Sequence, residues 1–228
     1  MSVKKEGMTI IMPHVRLLCA IVLLSLGLFA CSSTDPAPQQ PDRDELAVEK
    51  ESGVLYVTPV DLFTGEAARL KPFLGEAGAV KLAYTGNKRM IKCSLEVWEN
   101  GQMVQTISSM SSAMNQKEDS DVYSFDGELI ITIDEVKTDE KPAPYAVKYA
   151  FVDEQGYSMG EGEIPFEKEF SSRGGISQQE PMQIPEDGKA IIWGIQATDK
   201  RSMTFYNSAE ETVKQAEWAF VATVTLTD

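Results

Sequence analysis

The chain has 228 residues, of which 43% are hydrophobic and 25% are charged, and this length is sufficient for one ordinary domain with a sizeable core. Its formal net charge is −14 at pH 7. Because phosphate backbones repel so acidic a surface, we expect no nucleic-acid partner.

The first predicted element is an export signal. Lys4, Lys5 and Arg16 are basic, and the run from Leu17 to Ala30 that follows contains no charged residue. This layout is typical of a secretory signal peptide. The uncharged run is shorter than the roughly 20 residues that a membrane-spanning helix needs. We therefore expect residues 1–30 to be removed and the protein to be exported.

The uncharged run ends in the motif Leu28-Phe29-Ala30-Cys31. This motif resembles the lipobox of bacterial lipoproteins, in which a small residue precedes an invariant Cys. The resemblance covers residues 1 to about 32 and implies that Cys31 receives a diacylglycerol. It also implies that a signal peptidase recognises Leu28, Phe29 and Ala30 and cuts before Cys31. The protein is then expected to be anchored to the bacterial cell membrane, or to the outer membrane of a cell with two membranes, since several acyl chains hold a protein firmly.

Cleavage before Cys31 would also remove His14, the one histidine, and Cys19. Without histidine, the remaining chain has no Ser-His-Asp or Cys-His nucleophilic site and no zinc site of the usual His-containing types. Cys93 is then the one thiol left, so no intramolecular disulfide is expected. We predict no enzymatic activity, no metal site and no cofactor.

Residues 31–52 are predicted to be a disordered tether. Pro36, Pro38 and Pro41 lie in this stretch with several acidic residues and no aromatic residue. Such a composition buries too little apolar surface to fold by itself. The predicted organisation is therefore a signal peptide at 1–30, a lipidated Cys and tether at 31–52, and a single domain at 53–228.

Alternating apolar and polar residues from Gly53 onward predict β-strands. The clearest alternation runs from Ile91 to Trp98, and Asn100-Gly101 then supplies two residues that accept the positive φ angles of a type I′ hairpin turn. The predicted opposed pairs are Trp98 with Met103, Val97 with Val104, and Glu96 with Gln105.

This hairpin register assigns its side chains to two faces. Cys93 points inward with Leu95, so we expect it to be a buried, inert thiol. Trp98 and Met103 fall on the opposite face, where they form either the rim of a second packed layer or an exposed aromatic patch. The packed layer is the favoured interpretation, and Trp98 and Met103 are the candidate binding surface.

The later part of the chain contains four further predicted elements. Residues 108–121 are polar and predict a loop or a short irregular helix. Residues 164–188 include a Gly-Gly pair and three prolines, which predict a long irregular crossover that could carry a binding surface. Ser208-Ala209-Glu210-Glu211 fits a capping box and predicts a helix of two to three turns. The regular alternation from Trp218 to Leu226 predicts a strand paired inside a sheet.

About nine short strands and one short helix near the C-terminus predict an all-β fold, an antiparallel β-sandwich, with an immunoglobulin-like arrangement as one option. Trp193 and Trp218 lie in strongly alternating strands and are expected in the core, although a tryptophan can also stack on a sugar.

Carboxylates are the candidate catalytic groups. Glu161 and Glu163 are two residues apart and share a strand face, where a glycosidase could place an acid, although ordinary surface acids are the favoured interpretation. Asp119-Ser120-Asp121 and Glu186-Asp187-Gly188 offer oxygen ligands for calcium, but neither has the spacing of an EF-hand loop. Solvated acidic loops are therefore favoured.

These observations predict a membrane-anchored lipoprotein of the cell envelope whose sandwich is a non-catalytic interaction or structural module. Its partners would be the membrane, through the N-terminal lipid, and an envelope protein or glycan. The alternative is a carboxylate-based hydrolase that acts on envelope glycans. A cleft with two carboxyl groups about 5 to 10 Å apart would favour the hydrolase, and a filled sandwich would favour the module.

Overall fold

Two antiparallel sheets pack face to face in the computed structural model, which describes residues 50–139, 143–164 and 169–228. The predicted all-β antiparallel sandwich is confirmed. The strands are β1 (Val54–Val60), β2 (Glu76–Gly86), β3 (Met90–Glu99), β4 (Gln102–Ala113), β5 (Asn115–Gln116), β6 (Tyr123–Glu135), β7 (Tyr145–Asp153), β8 (Gly156–Ile164), β9 (Ser172–Ser177), β10 (Met182–Pro185), β11 (Lys189–Thr198) and β12 (Trp218–Thr227).

The strands are divided between the sheets in a fixed order. Sheet A has the order β10-β1-β2-β6-β7-β8, with β5 paired to β6 beyond the end of β7, and sheet B has the order β4-β3-β12-β11-β9. These sheets have more strands than the four and three of an immunoglobulin constant domain. What this domain shares with the immunoglobulin fold is therefore the face-to-face packing of two antiparallel sheets.

The core lies between the sheets, because each strand turns its apolar set inward. Tyr149 and Phe151 of β7 face the interior from sheet A, and Ile195 of β11 and Phe220 of β12 face it from sheet B; all four are almost fully buried. Trp193 and Trp218 are also buried in this core, as the sequence predicted.

Gly78 of β2 marks a place where the two sheets approach closely. A Cβ atom added there would lie 2.1 Å from Cδ1 and 2.2 Å from Nε1 of the Trp193 indole. The Trp193 ring therefore occupies the space that any larger residue at position 78 would need.

Cys93 lies inside this core and is fully buried. Burial raises the pKa of the Cys93 thiol far above its usual range, and the Glu96 carboxylate contributes to the same shift. The prediction that Cys93 points inward with Leu95 is confirmed.

We expect the Cys93 thiol to react with a thiol reagent more than about 100-fold more slowly in the folded domain than in urea, because labelling must wait for the sheet to open. Mass spectrometry of the labelled protein over time measures this rate. Equal rates in both conditions would place Cys93 on the outer face and would require β3 to shift by one residue.

The hairpin between β3 and β4 turns at Asn100 and Gly101, whose φ angles are 49° and 77°. Trp98 lies opposite Met103, as predicted. The next two predicted pairs are wrong, because Val104 and Ile107 are extra residues that form bulges in β4; Val97 therefore lies opposite Gln105, and Glu96 lies opposite Thr106.

β4, an edge strand of sheet B, lies next to β8, an edge strand of sheet A, along one side of the sandwich. The Ser108 hydroxyl of β4 lies 2.7 Å from the Tyr149 hydroxyl and donates to the Glu161 carbonyl oxygen at 3.1 Å. These bonds connect the two sheets where no main-chain ladder does.

Two helical segments accompany the sheets. A 3-10 helix, Gly65–Phe73, lies between β1 and β2, and the predicted C-terminal helix is α1, Ala209–Gln215. The Ser208 hydroxyl accepts a hydrogen bond from the Glu211 backbone N–H at 3.1 Å, which is the bond expected at the helix start. Neither helix in the described ranges has the length and apolar character needed to span a membrane.

Candidate functional site

The predicted lipid attachment site, Cys31, and the recognition residues Leu28, Phe29 and Ala30 lie outside the described residues. The same holds for the tether, apart from its last residues. Their predicted roles therefore stay predictions, and the structure bears on the domain that follows them.

The other candidate surface, Trp98 and Met103, lies on the outer face of sheet B. Met103 is 47% exposed and is followed by the exposed Val104, whereas Trp98 is partly buried. The Trp98 ring packs against a second hydrophobic cluster on this face. Of the two interpretations, Trp98 fits the rim of a packed layer, and Met103 remains exposed beside it.

This second layer forms because α1 covers the outer face of sheet B. Ala209 and Val213 turn their side chains toward the sheet, where they pack in one hydrophobic cluster with Ala219 and Val221 of β12. Strand β12 is consequently buried on both faces, which explains why it has apolar residues at successive positions.

A buried carboxylate, Glu96, lies beside Trp98 in this layer. Glu96 as a whole residue is only 4% exposed. The Lys189 ammonium donates to both carboxylate oxygens, at 2.6 and 2.9 Å. The Thr223 hydroxyl donates at 3.1 Å, and Trp98 Nε1 donates at 3.2 Å. The Lys189 ammonium neutralises the Glu96 carboxylate, and the hydrogen bonds from Thr223 and Trp98 replace its contacts with water. Glu96 therefore stabilises the fold and is poorly placed to act as a general base.

Sequence reasoning missed this cluster. The alternation of β3 assigned Glu96 to the polar face, which is right, but it gave no sign that α1 would cover that face. Lys189 lies on β11, and β12 separates it from β3. Only the register across three strands brings the two charged groups together.

A cavity of about 520 Å³ opens between α1 and the 199–206 segment. Gln196 and Thr198 of β11 lie at its base, and both residues are buried. Gln196 Nε2 donates to the Thr204 carbonyl oxygen at 3.2 Å, and the Thr198 hydroxyl donates to Glu217 at 2.8 Å. The cavity wall offers amides, hydroxyls, ammonium groups and the Glu217 carboxylate, which can bind a polar ligand by hydrogen bonds.

Glu161 and Glu163 lie on the outer face of β8, at the edge of sheet A, and both are exposed. Lys148 of β7 lies opposite Glu161 in the register. The pair faces solvent from a sheet surface, so these carboxylates have the environment of ordinary surface acids.

The acidic loops also have ordinary explanations. Glu186 accepts a hydrogen bond from the Tyr84 hydroxyl at 2.5 Å and one from the Asn87 backbone N–H at 3.4 Å. Burial, together with the bond to Glu186, raises the pKa of Tyr84 to about 12. Asp119 occupies a turn with a φ of 53°. Within the described ranges, no group of three or more His, Cys, Asp or Glu side chains is arranged to hold a metal ion.

The described part of residues 164–188 contributes one residue, Ile176 of β9, to the hydrophobic cluster against which Trp98 packs. Strand β9 lies at the far edge of sheet B from β4, and β10 pairs with β1 in sheet A. The predicted irregular crossover therefore contains two paired strands. Arg173 of β9 binds Glu76 at 3.0 Å and lies over the Tyr145 ring at 4.8 Å, so it bridges the two sheets.

Comparison with known proteins identifies a family without naming an activity. A family model described as a YgaN domain matches residues 56–223. No curated protein matches the chain, and no solved structure does. The match begins within β1 and ends within β12, so it covers the sandwich apart from the first two residues of β1 and the last four of β12. The chain belongs to the YgaN domain family.

Proposed function

We propose that this protein is a lipoprotein of the bacterial cell envelope, anchored through a diacylglycerol on Cys31, with a non-catalytic sandwich that acts as an interaction or structural module. The membrane is its first partner, and an envelope protein or glycan is the second.

The observation that carries the proposal is the N-terminal sequence. An uncharged run from Leu17 to Ala30 follows Arg16 and ends at Cys31, and Ser-Ser-Thr-Asp-Pro follows that Cys at once. A short apolar run with a basic start and a small residue before the cut is the arrangement that export machinery recognises. A thiol directly after such a run is suitably placed to receive a lipid.

The described domain supports the non-catalytic part of the proposal. The space between the sheets is filled by apolar side chains, and Glu96 is occupied by Lys189, Thr223 and Trp98. Glu161 and Glu163 are exposed on a sheet face. This environment favours the module over the carboxylate-based hydrolase, which needs one carboxyl group kept protonated by its surroundings.

The proposal is tested with the full chain produced in a bacterium. We expect the mature protein to begin at Cys31, to have the mass of an added diacylglycerol, and to sediment with membranes. Cys31→Ser is expected to abolish the lipid mass and the cut before residue 31, because a single substitution removes the thiol that would carry the acyl chains.

Cys19→Ser is the matched control, since Cys19 lies inside the uncharged run and should leave lipid attachment unchanged. An uncut, unmodified amino terminus on the wild-type chain would overturn the proposal. So would lipid attachment that survives the substitution at Cys31.

A further inference from the structure

The connection between β1 and β2, residues 61–75, exposes an unusual group of side chains. Phe73 is 83% exposed, Leu70 49% and Leu74 39%, and the 3-10 helix in this segment has no buried residue. Three large apolar side chains are therefore exposed within five residues of one connection, and exposed apolar side chains that cluster mark contact sites more often than scattered ones do.

We propose that the 61–75 segment is a membrane-contact site, whose Leu70, Phe73 and Leu74 side chains insert into the lipid surface on which the protein is anchored. This inference rests on the proposed lipid anchor at Cys31, and it adds a second contact that fixes the orientation of the domain.

The charges of the segment fit a lipid surface. The 61–75 segment has two acidic residues, Asp61 and Glu66, and two basic residues, Arg69 and Lys71, so it is neutral in a chain whose net charge is −14. The two basic residues are exposed, and they are the charged residues of the segment nearest in sequence to Leu70, Phe73 and Leu74. Arg69 makes a long ion pair with Glu66 at 3.9 Å, and Lys71 lies 5.8 Å from the centre of the Phe63 ring. Neither contact withdraws its cation from solvent. Cations next to exposed Phe and Leu are the combination that binds the boundary between headgroups and acyl chains.

The small size of this surface favours a membrane over a protein partner. A stable protein interface buries about 800 Å² on each partner, which is far more than three side chains of one connection provide. A weak contact is sufficient for a domain that is already concentrated at the bilayer by its own lipid, because the second binding event is then intramolecular.

The length of the chain permits the contact. Gly53 directly precedes β1, and the 61–75 segment begins at the opposite end of that strand. β1 has seven residues, so its two ends lie about 23 Å apart. About 20 residues separate Cys31 from Gly53, and a chain of that length can reach up to about 70 Å.

The test uses the full chain, purified with its lipid and reconstituted into vesicles of phosphatidylcholine and phosphatidylglycerol. Phe73→Cys is labelled with a fluorophore that brightens in apolar surroundings. The label is specific, because Cys93 is buried, the Cys31 thiol is expected to be occupied by lipid, and Cys19 is expected to be removed. Tyr157→Cys is the matched control, since Tyr157 is an exposed aromatic residue of β8, outside the 61–75 segment.

We expect acrylamide, an uncharged quencher, to quench the probe at position 73 roughly threefold less than the probe at position 157 on the same vesicles. Arg69→Glu with Lys71→Glu should reduce that protection, and so should vesicles of phosphatidylcholine alone.

The outcomes separate the two proposals. If the chain sediments with vesicles and acrylamide quenches both probes equally, the membrane contact is wrong and the lipid anchor stands; the segment would then face water or a protein partner. If the wild-type chain has no lipid and does not sediment, the anchor is wrong and the membrane contact falls with it.

Discussion

Lys189→Met is expected to lower the free energy of unfolding by about 2 to 4 kcal/mol, because it leaves the Glu96 carboxylate buried without its cation. The Glu96 side chain is 5% exposed, and the Lys189 ammonium lies 2.6 Å from its Oε1 atom. Water partly screens this pair, since Lys189 itself is only half-buried, so we expect less than the full effect of removing one member of a buried pair.

Urea unfolding followed by far-UV circular dichroism measures this change. Lys214→Met is the matched control, because Lys214 pairs with Glu210 on the exposed side of α1 at 2.7 Å, and its loss should cost under about 0.5 kcal/mol. Adding Glu96→Gln to Lys189→Met should recover most of the lost stability, since no buried charge then remains. Equal effects at Lys189 and Lys214 would mean that Glu96 is hydrated.

Gly78→Ala is expected to destabilise the domain by about 3 kcal/mol, because its new Cβ atom would overlap the Trp193 indole. Trp193 is buried between the sheets and cannot rotate into solvent. Relief therefore requires the two sheets to separate or the ring to adopt a strained rotamer.

The matched control is Gly175→Ala in β9, where an added Cβ atom meets nothing within 4 Å. That change should be neutral or slightly stabilising, since alanine restricts the unfolded chain. Combining Gly78→Ala with Trp193→Phe should cost less than the sum of the two single changes, because the smaller ring makes room for the methyl group. A Gly78→Ala chain as stable as the Gly175→Ala chain would contradict the close approach of the sheets.

Local signals predicted local structure well. Asn100-Gly101 predicted the turn between β3 and β4, and Ser208 predicted the start of α1; both depend on residues adjacent in the chain. The alternation from Trp218 to Leu226 predicted a strand inside a sheet, and β12 lies between β3 and β11.

Features that depend on distant pairing were not predictable in this way. Residues 108–113 were expected in a loop, yet they continue β4, because pairing with β3 uses main-chain groups and needs no apolar side chain. The bulges at Val104 and Ile107 lie on an edge strand, where an extra residue costs little.

The candidate site shows the same division. Alternation assigned Trp98, Met103 and Glu96 to one face of β3 and β4. The helix that covers Trp98 and the lysine that reaches Glu96 come from parts of the chain about 90 or more residues later, and no periodic pattern links positions so far apart.

The central place of β12 has a consequence for how this molecule is made. Sheet B has β12 between β3 and β11, so its two halves have no main-chain bonds to each other until residues 218–227 have left the ribosome. The strands of sheet B that are synthesised earlier therefore cannot complete that sheet. A chain that stops before Trp218 should be degraded by proteases.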